Sequence, residues 1–151
     1  MSVTNKNVII TGAAGGIGRA AALAFAKNGF GVLINYRTAK DAAEKLCEKI
    51  NSQGGRAVRF KADVSVRGDV DEMTDFARRE LGAIGVLVNN AGIAQQKMFC
   101  HITEQDFDRM MGVTVKGAFN CTQAALPDMV HDKSGKIINV SSMWGVSGAS
   151  C

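Results

Sequence analysis

An α/β fold, a parallel sheet with helices on both faces, is the class this chain predicts, and three observations carry it. Short apolar runs alternate with amphipathic stretches of helical period, and the apolar runs are continuous rather than alternating. A glycine cluster, Thr11-Gly12-Ala13-Ala14-Gly15-Gly16-Ile17-Gly18, stands between the first apolar run and the first helical stretch. Strands separated by helices cannot pair as hairpins, so they assemble through crossover units into a parallel sheet. Continuous apolar strands fit a sheet buried on both faces. The glycine turn after the first strand makes it a Rossmann-type, doubly wound sheet, whose ligand lies outside the carboxyl ends of the strands.

The elements follow in order. Asn7-Val8-Ile9-Ile10 is the first strand. The helix after the glycine turn is expected over Arg19 to Lys27, with Ile17, Ala21, Ala24, Phe25 and Asn28 at helical spacing and Asn28-Gly29 as its stop. Val32-Leu33-Ile34 is the second strand; Ala39, Ala42, Ala43, Leu46 and Ile50 form the next helical face, ended by Gly54-Gly55. Ala57-Val58-Arg59-Phe60 is the third strand, Val66, Val70, Met73 and Ala77 mark a helix, and Val86-Leu87-Val88 is the fourth strand. One long helical region is expected from about Thr103 to Val130, opened by a capping box of Thr103 and Asp106. Its methionines are expected to fill core. Ile137-Ile138-Asn139-Val140 is the fifth strand. No repeat, low-complexity stretch or linker interrupts the pattern, so one domain over 1–151 is expected.

Composition excludes several function classes. A chain of 151 residues, 46% hydrophobic and 21% charged, belongs among soluble globular proteins with a single core. No apolar run approaches the roughly 20 residues that span a bilayer, and Met1 to Lys6 lacks the basic and apolar regions of a signal peptide. A cytoplasmic location with no membrane partner is expected. The net charge of +4 comes from scattered lysines and arginines, without basic runs interleaved with aromatics, which argues against a nucleic-acid partner. Cys47, Cys100, Cys121 and Cys151 have no C-x-x-C spacing and read as core or surface thiols. His101 and His131 have no ligand partners at matching spacing, so no metal is expected.

The glycine cluster carries the chemistry. A strand that turns sharply into a helix leaves the first helical N–H groups unpaired, with the positive end of the helix dipole behind them. Glycine lets a pyrophosphate lie on that backbone and supplies positive φ where the turn needs it. The cluster reads as a nucleotide cradle or, taken alone, as a plain tight loop.

Four pieces in order decide between these: Thr11-Gly12-x-x-x-Gly16-x-Gly18, Asp63-Val64, Asn89-Asn90-Ala91-Gly92 and Val140-Ser141-Ser142, each after a strand. In them the chain resembles the short-chain dehydrogenases/reductases over essentially its whole length. The resemblance implies a cofactor on Gly12, Ala14, Gly15, Gly16, Ile17 and Gly18, with Asp63 and Val64 toward its adenine and Asn90, Ala91 and Gly92 alongside it. Asp63 is alternatively a helix cap, a role Ser65 fits better, and Asn90 is alternatively a brace between the central strands. At the end of the second strand an acid pairs the ribose hydroxyls of NAD, whereas an arginine accommodates a 2′-phosphate. This chain reads Asn35-Tyr36-Arg37 there, which implies NADP (NADPH), with Arg37 on the phosphate and Asn35 or Thr38 as its neutral partner. Gly15 stands where NADP-preferring relatives often carry a further basic residue, and an ordinary loop arginine is the other reading of Arg37.

The family's catalytic groups are Asn, Ser, Tyr and Lys. Ser142 matches the serine; the alternative is a cap on the strand-to-loop turn. Val113-Thr114-Val115-Lys116-Gly117 resembles the phrase that holds the asparagine, so Thr114 replaces it and the water-linked relay lacks its amide. The family's Tyr-x-x-x-Lys is absent from these residues, and Tyr36 belongs to the cofactor loop. The resemblance therefore implies an amino-terminal portion, its sheet truncated after the fifth strand and its domain incomplete at the C-terminus, of a protein that forms a homo-oligomer when intact. The general pattern resembles 3-oxoacyl-acyl-carrier-protein reductases of fatty acid biosynthesis. Ala91 to Phe99 and Ser141 to Cys151 look more like elongation factor P 5-aminopentanone reductases. Gln95, Gln96 and Trp144 lie at the mouth where a substrate enters, or else are packing residues. The activity implied is NADPH-dependent reduction of a small-molecule or carrier-bound ketone to a secondary alcohol, with elongation factor P as partner in the second version. A non-catalytic nucleotide-binding module or an inactive fragment is the alternative.

Overall fold

The structure, a computed structural model, describes residues 3–147; the likeness carried by Gly148 to Cys151 lies outside them. Strands β1 (Asn7–Ile10), β2 (Gly31–Tyr36), β3 (Arg56–Lys61), β4 (Val86–Asn89) and β5 (Lys136–Asn139) form one parallel sheet in the order β3-β2-β1-β4-β5. Val8 stands opposite Val32 on one side and Val86 on the other. Between the strands run α1 (Gly16–Lys27), α2 (Lys40–Ser52), α3 (Arg67–Leu81), α4 (Glu104–Met111) and α5 (Gly117–His131), with a short α6 (Trp144–Ser147) after β5.

The continuous apolar runs are explained by two cores. Val8, Ile10, Val32, Ile34, Val86 and Val88 pack with the buried residues of α1 and α2, while Ile9, Leu33 and Leu87 pack with those of α3 and α5. Neither face of a central strand meets water, so both sets of alternating side chains must be apolar. From β1 the chain steps outward to β2 and β3, then returns to the far side of β1 as β4. The connections leaving β1 and β4 thus diverge, opening a crevice at their carboxyl ends.

Several expectations need correction. Helix α1 starts at Gly16, not Arg19, so the last glycines of the cluster form its first turn. Its inner face is Gly18 and Ala22, while Ile17 is 65% exposed and Ala24 is also exposed. The reason is close approach: a Cβ on Gly18 would lie 2.8 Å from the Gly12 carbonyl oxygen and 2.9 Å from Ala13 Cα, so the helix rests on the turn through its smallest residue. Ala39 and Ala42 are exposed, leaving Ala43, Leu46 and Ile50 as the inner face of α2. Val66, expected on a helix face, is the exposed N-cap of α3, and no side chain caps that helix. The capping box of Thr103 and Asp106 is present at the start of α4. The long helix it opens is interrupted by a π-helical segment, Gly112–Lys116, that separates α4 from α5. Met129 is buried, but Met111 is 40% exposed, because α4 buries no residue. β5 begins one residue earlier than expected and is exposed along its length.

Cysteines 47, 100 and 121 are free thiols, and burial pushes that of Cys121 up to about 12. Among the described residues no helix is long and apolar enough to cross a membrane.

Candidate functional site

The cradle is built from the end of β1. The Thr11 hydroxyl donates to the Val88 carbonyl (3.3 Å) and accepts from the amides of Asn90 and Ala91 (2.9 Å each), clamping the ends of β1 and β4 together. The Asn90 amide group donates to the carbonyls of Thr11 (2.9 Å) and Gly12 (3.2 Å). Asn90 is thus a brace as well as a residue of the crevice wall. From the other side the Asn35 side-chain oxygen Oδ1 accepts from the Gly12 amide (3.0 Å), and the Asn35 side-chain Nδ2 donates to the Ala62 carbonyl (3.1 Å). A buried amide in a strand must find such partners. Asn35, only 2% exposed, is therefore committed to holding the turn, while Arg37 and Thr38 beyond it are exposed.

The four glycines divide into two pairs. Gly12 (φ +62°) and Gly18 are hemmed in: a Cβ would meet Ala91 Cα at 3.0 Å in the first case and the Asn90 amide nitrogen at 2.5 Å in the second. Around Gly15 and Gly16 an added Cβ meets no atom within 4 Å. These two form the N-cap and first residue of α1, and no side chain caps the helix there. Unpaired N–H groups at a helix start with open space in front of them are the arrangement that receives an anion. Ala14 is half-buried on the turn beside them.

A cleft of about 340 Å³ runs from this turn past Arg37, Asp63 and Val64 to Ile93 and Val113. Asp63 does not cap α3. Its Oδ1 accepts from the Ser65 amide (3.0 Å) and hydroxyl (2.6 Å), its own amide donates to Asp69 (2.8 Å), and its Oδ2 faces Arg37 Nη1 at 3.4 Å. Partial burial alone would raise this carboxyl. The Ser65 bonds and the Arg37 guanidinium outweigh it and hold the group below its ordinary value. Val64 is positioned by α5, whose Gly117 would touch it at 2.6 Å if it carried a Cβ, and whose Asn120 amide donates to the Val64 carbonyl (3.0 Å).

Val64, Ala91 and Val113 are also walls of a second cavity of about 620 Å³, which extends to Thr114, Asn139 and Ser141. The crevice therefore continues from the Arg37 end to the end of β5. Thr114 is exposed within the π-helical segment, a helix irregularity that often marks a functional site. Ser142 is exposed just beyond the lining residue Ser141, and its hydroxyl oxygen accepts from the Trp144 amide (3.2 Å). That contact is a turn cap, and a hydroxyl that accepts still has an O–H to donate.

Gln96 and Trp144 are exposed, Trp144 at 61%, so Trp144 is no core residue among those described. Gln95 is held: its amide donates to Asp106 Oδ1 (2.9 Å), while Lys97 donates to Oδ2. In sequence Asp106 reads as a cap alone. It also fastens the loop after β4, which no local pattern signals. Hydrogen bonds from Lys97, then from the Thr103 amide, Gln95 and the Thr103 hydroxyl, hold its carboxyl well below the ordinary range. A carboxylate depressed in the folded state anchors fully above its unfolded value of about 3.9 and lets go only as the pH falls through the lower folded value. The side-chain contacts of Gln95 and Lys97 with Asp106 are thus expected to persist at about pH 4 and to break only in stronger acid, as read from the side-chain NMR shifts of these two residues. Asp106→Asn is expected to lose the Lys97 ion pair at neutral pH. Thr11, Ser65 and Val113 are further residues of the site: Thr11 is visible at the strand end of the glycine motif, whereas Ser65 reads in sequence as the cap of α3 and instead bonds Asp63, and Val113 carries no signal.

A family model described as short chain dehydrogenase matches residues 6–151. The 3-oxoacyl-acyl-carrier-protein reductase FabG of Staphylococcus epidermidis is 39% identical over 144 residues, covering 95% of this chain and 59% of that protein. The reductase of the same name from Staphylococcus aureus is 38% identical over 143 residues, 95% of this chain and 58% of that protein. A 3-oxoacyl-acyl-carrier-protein reductase of Synechocystis sp. is 35% identical over 147 residues, 97% of this chain and 60% of that protein. The chain spans about three-fifths of the length of these relatives.

Proposed function

The chain belongs to the short-chain dehydrogenase family, and from that premise we propose that it is the dinucleotide-binding domain of an NADPH-dependent ketone reductase. The substrate class proposed is a 3-oxoacyl group on a carrier, as the names of the similar reductases suggest. The reading is carried by one observation. The open N-terminus of α1, at Gly15 and Gly16, adjoins the turn at Gly12, which lines a cleft where the residue after β2 is an arginine, Arg37, rather than an acid.

The bound nicotinamide would supply a hydride to the ketone carbon. The chain's own residues bind and orient. Backbone N–H groups from Gly15 to Ile17 receive the pyrophosphate, and Gly12 and Gly18 let helix and turn close on each other. Asp63 and Val64 flank the adenine, Ala91 and Gly92 leave room for the ribose, and Arg37 with Thr38 takes the 2′-phosphate. Asn35 and Asn90 hold the walls. Ser142 donates its O–H to the substrate carbonyl, and Thr114 lines the same stretch of crevice with a hydroxyl where the family has an amide. Gln96 and Trp144 stand at the mouth for the substrate, with Gln95 held beside them by Asp106.

Titration with NADPH and NADH tests the reading. NADPH is expected to bind more tightly, by a margin that shrinks with added salt, as for a partly exposed ion pair. Arg37→Ala should erase the margin; equal affinities in the unaltered protein would refute the proposal. Gly15 offers a second test. Its φ of −151° is extended backbone open to any residue, and an added side chain meets no neighbour. Gly15→Arg is expected to tighten NADPH severalfold while changing NADH by less than about twofold, on the scale of one exposed charge pair.

A further inference from the structure

We propose that Asp63 is a specificity-determining residue: its carboxylate competes with a 2′-phosphate for the Arg37 guanidinium and so limits the preference for the phosphorylated nucleotide. The inference rests on the NADPH reading above. Asp63 is the anchored partner. One oxygen is taken by the amide and hydroxyl of Ser65 and its backbone is tied to Asp69, which leaves Oδ2 pointing at Arg37. Arg37 is the adaptable partner, 42% exposed on a long side chain whose one side-chain hydrogen bond among the described residues is this contact at 3.4 Å. Both line the same cleft.

Two consequences follow from the charges. Bidentate recognition of a phosphate needs two parallel N–H groups of the guanidinium, and Asp63 draws one of them, Nη1, to itself. A phosphate on Arg37 would also lie within a few ångströms of an ionised carboxylate. The ion pair is long and partly exposed, so a dianionic phosphate displaces it, but at a cost that a nucleotide without the phosphate never meets. Asp63 thus acts on the 2′-phosphate specifically.

Asp63→Asn is the incisive variant, since an amide oxygen still accepts from Ser65 and from an adenine amino group while the charge is gone. The probes are adenosine 2′,5′-bisphosphate and AMP, which differ only in the 2′-phosphate, titrated against the full chain by calorimetry. The preference for the bisphosphate over AMP is expected to rise about three- to tenfold in the variant, a ratio in which any change at the adenine, common to both probes, cancels. In an Arg37→Ala background the gain should fall by at least half. Asp63→Ser serves the same comparison if the thermal transition of Asp63→Asn is lost. An unchanged or lowered preference for the bisphosphate over AMP in the variant, with Arg37→Ala still abolishing that preference, would overturn this inference and leave the NADPH reading standing. A gain of the same size without Arg37 would also overturn it, as simple repulsion. Equal binding of both probes to the unaltered chain would remove the NADPH reading and this inference with it.

Discussion

Gly18→Val is expected to cost at least about 3 kcal/mol of stability and to abolish nucleotide binding. A Cβ at this position lies 2.5 Å from the Asn90 amide nitrogen, 2.8 Å from the Gly12 carbonyl oxygen and 2.9 Å from Ala13 Cα. The first of these neighbours is a side chain, but it is fixed by donating to the carbonyls of Thr11 and Gly12. The other two are backbone of the turn itself. Relief would require α1 to move off the turn, which uncovers Ala22 and shifts the helix start that faces the crevice. Overpacking of one methyl in a tight contact already costs about 1–3 kcal/mol, and a branched side chain adds its rotamer restriction. Against a total of about 5–15 kcal/mol for a domain, that is a large fraction. Gly15→Ala is the control, because its added methyl meets nothing within 4 Å. Urea unfolding of the two variants reads the difference. A Gly18→Val protein within about 0.5 kcal/mol of the parent, a shift typical of an unremarkable surface site, would show that the helix does not rest on the turn as described.

That contrast between glycines also marks how far the sequence could be read. Spacing placed the cluster between a strand and a helix, but four glycines look alike in a pattern. Which of them yield to a neighbouring atom and which face open space depends on β4, distant in sequence. The phase of α1 was illegible for a related reason. Alanine recurs at so many of its positions that several faces have the same hydropathy, and the close approach of Gly18 selects one. The strands were legible because burial on both faces demands unbroken apolar runs, as in β1 and β4. The π-helical segment at Gly112–Lys116 was not, since one residue added to a helical turn leaves no gap in an apolar pattern.

Within the crevice, the partners of the polar residues were hidden. Asn35 looked like a ligand for a phosphate because it follows a strand beside Arg37. Its burial shows an amide that must pair within the protein, and it pairs with Gly12 and Ala62. Asp63 looked like a cap or an adenine contact, and its link to Arg37 depends on two adjacent strands ending level with each other. Those strands, β2 and β3, align Tyr36 with Lys61, so the residues that follow them meet. No pattern within either segment records that register.

The polypeptide of these 151 residues, assayed alone, is expected to show no reductase turnover above background with NADPH and a 3-oxoacyl thioester. Hydride addition to a ketone leaves an alkoxide that needs a proton, and general-acid catalysis requires a donor matched to that task within hydrogen-bond reach. The Ser142 hydroxyl can donate a hydrogen bond, but its pKa is too high for it to give up a proton unaided. The only tyrosine, Tyr36, is 7% exposed and packs in the core shared with α1 and α2, at the Arg37 end of the crevice. Lys97 is spent on Asp106, and the Cys121 thiol, pushed up to about 12, is buried on the inner face of α5. Nucleotide binding is therefore expected without chemistry. The same polypeptide should also self-associate, since Ile138 on β5, Phe107 on α4, Phe119 on α5 and Trp144 are each more than two-fifths exposed. Following NADPH absorbance across a concentration series, with sedimentation in parallel, reads both outcomes. Sustained turnover by the monomer, lost in Ser142→Ala, would require a proton donor other than those named and would place the complete acid–base machinery inside these residues.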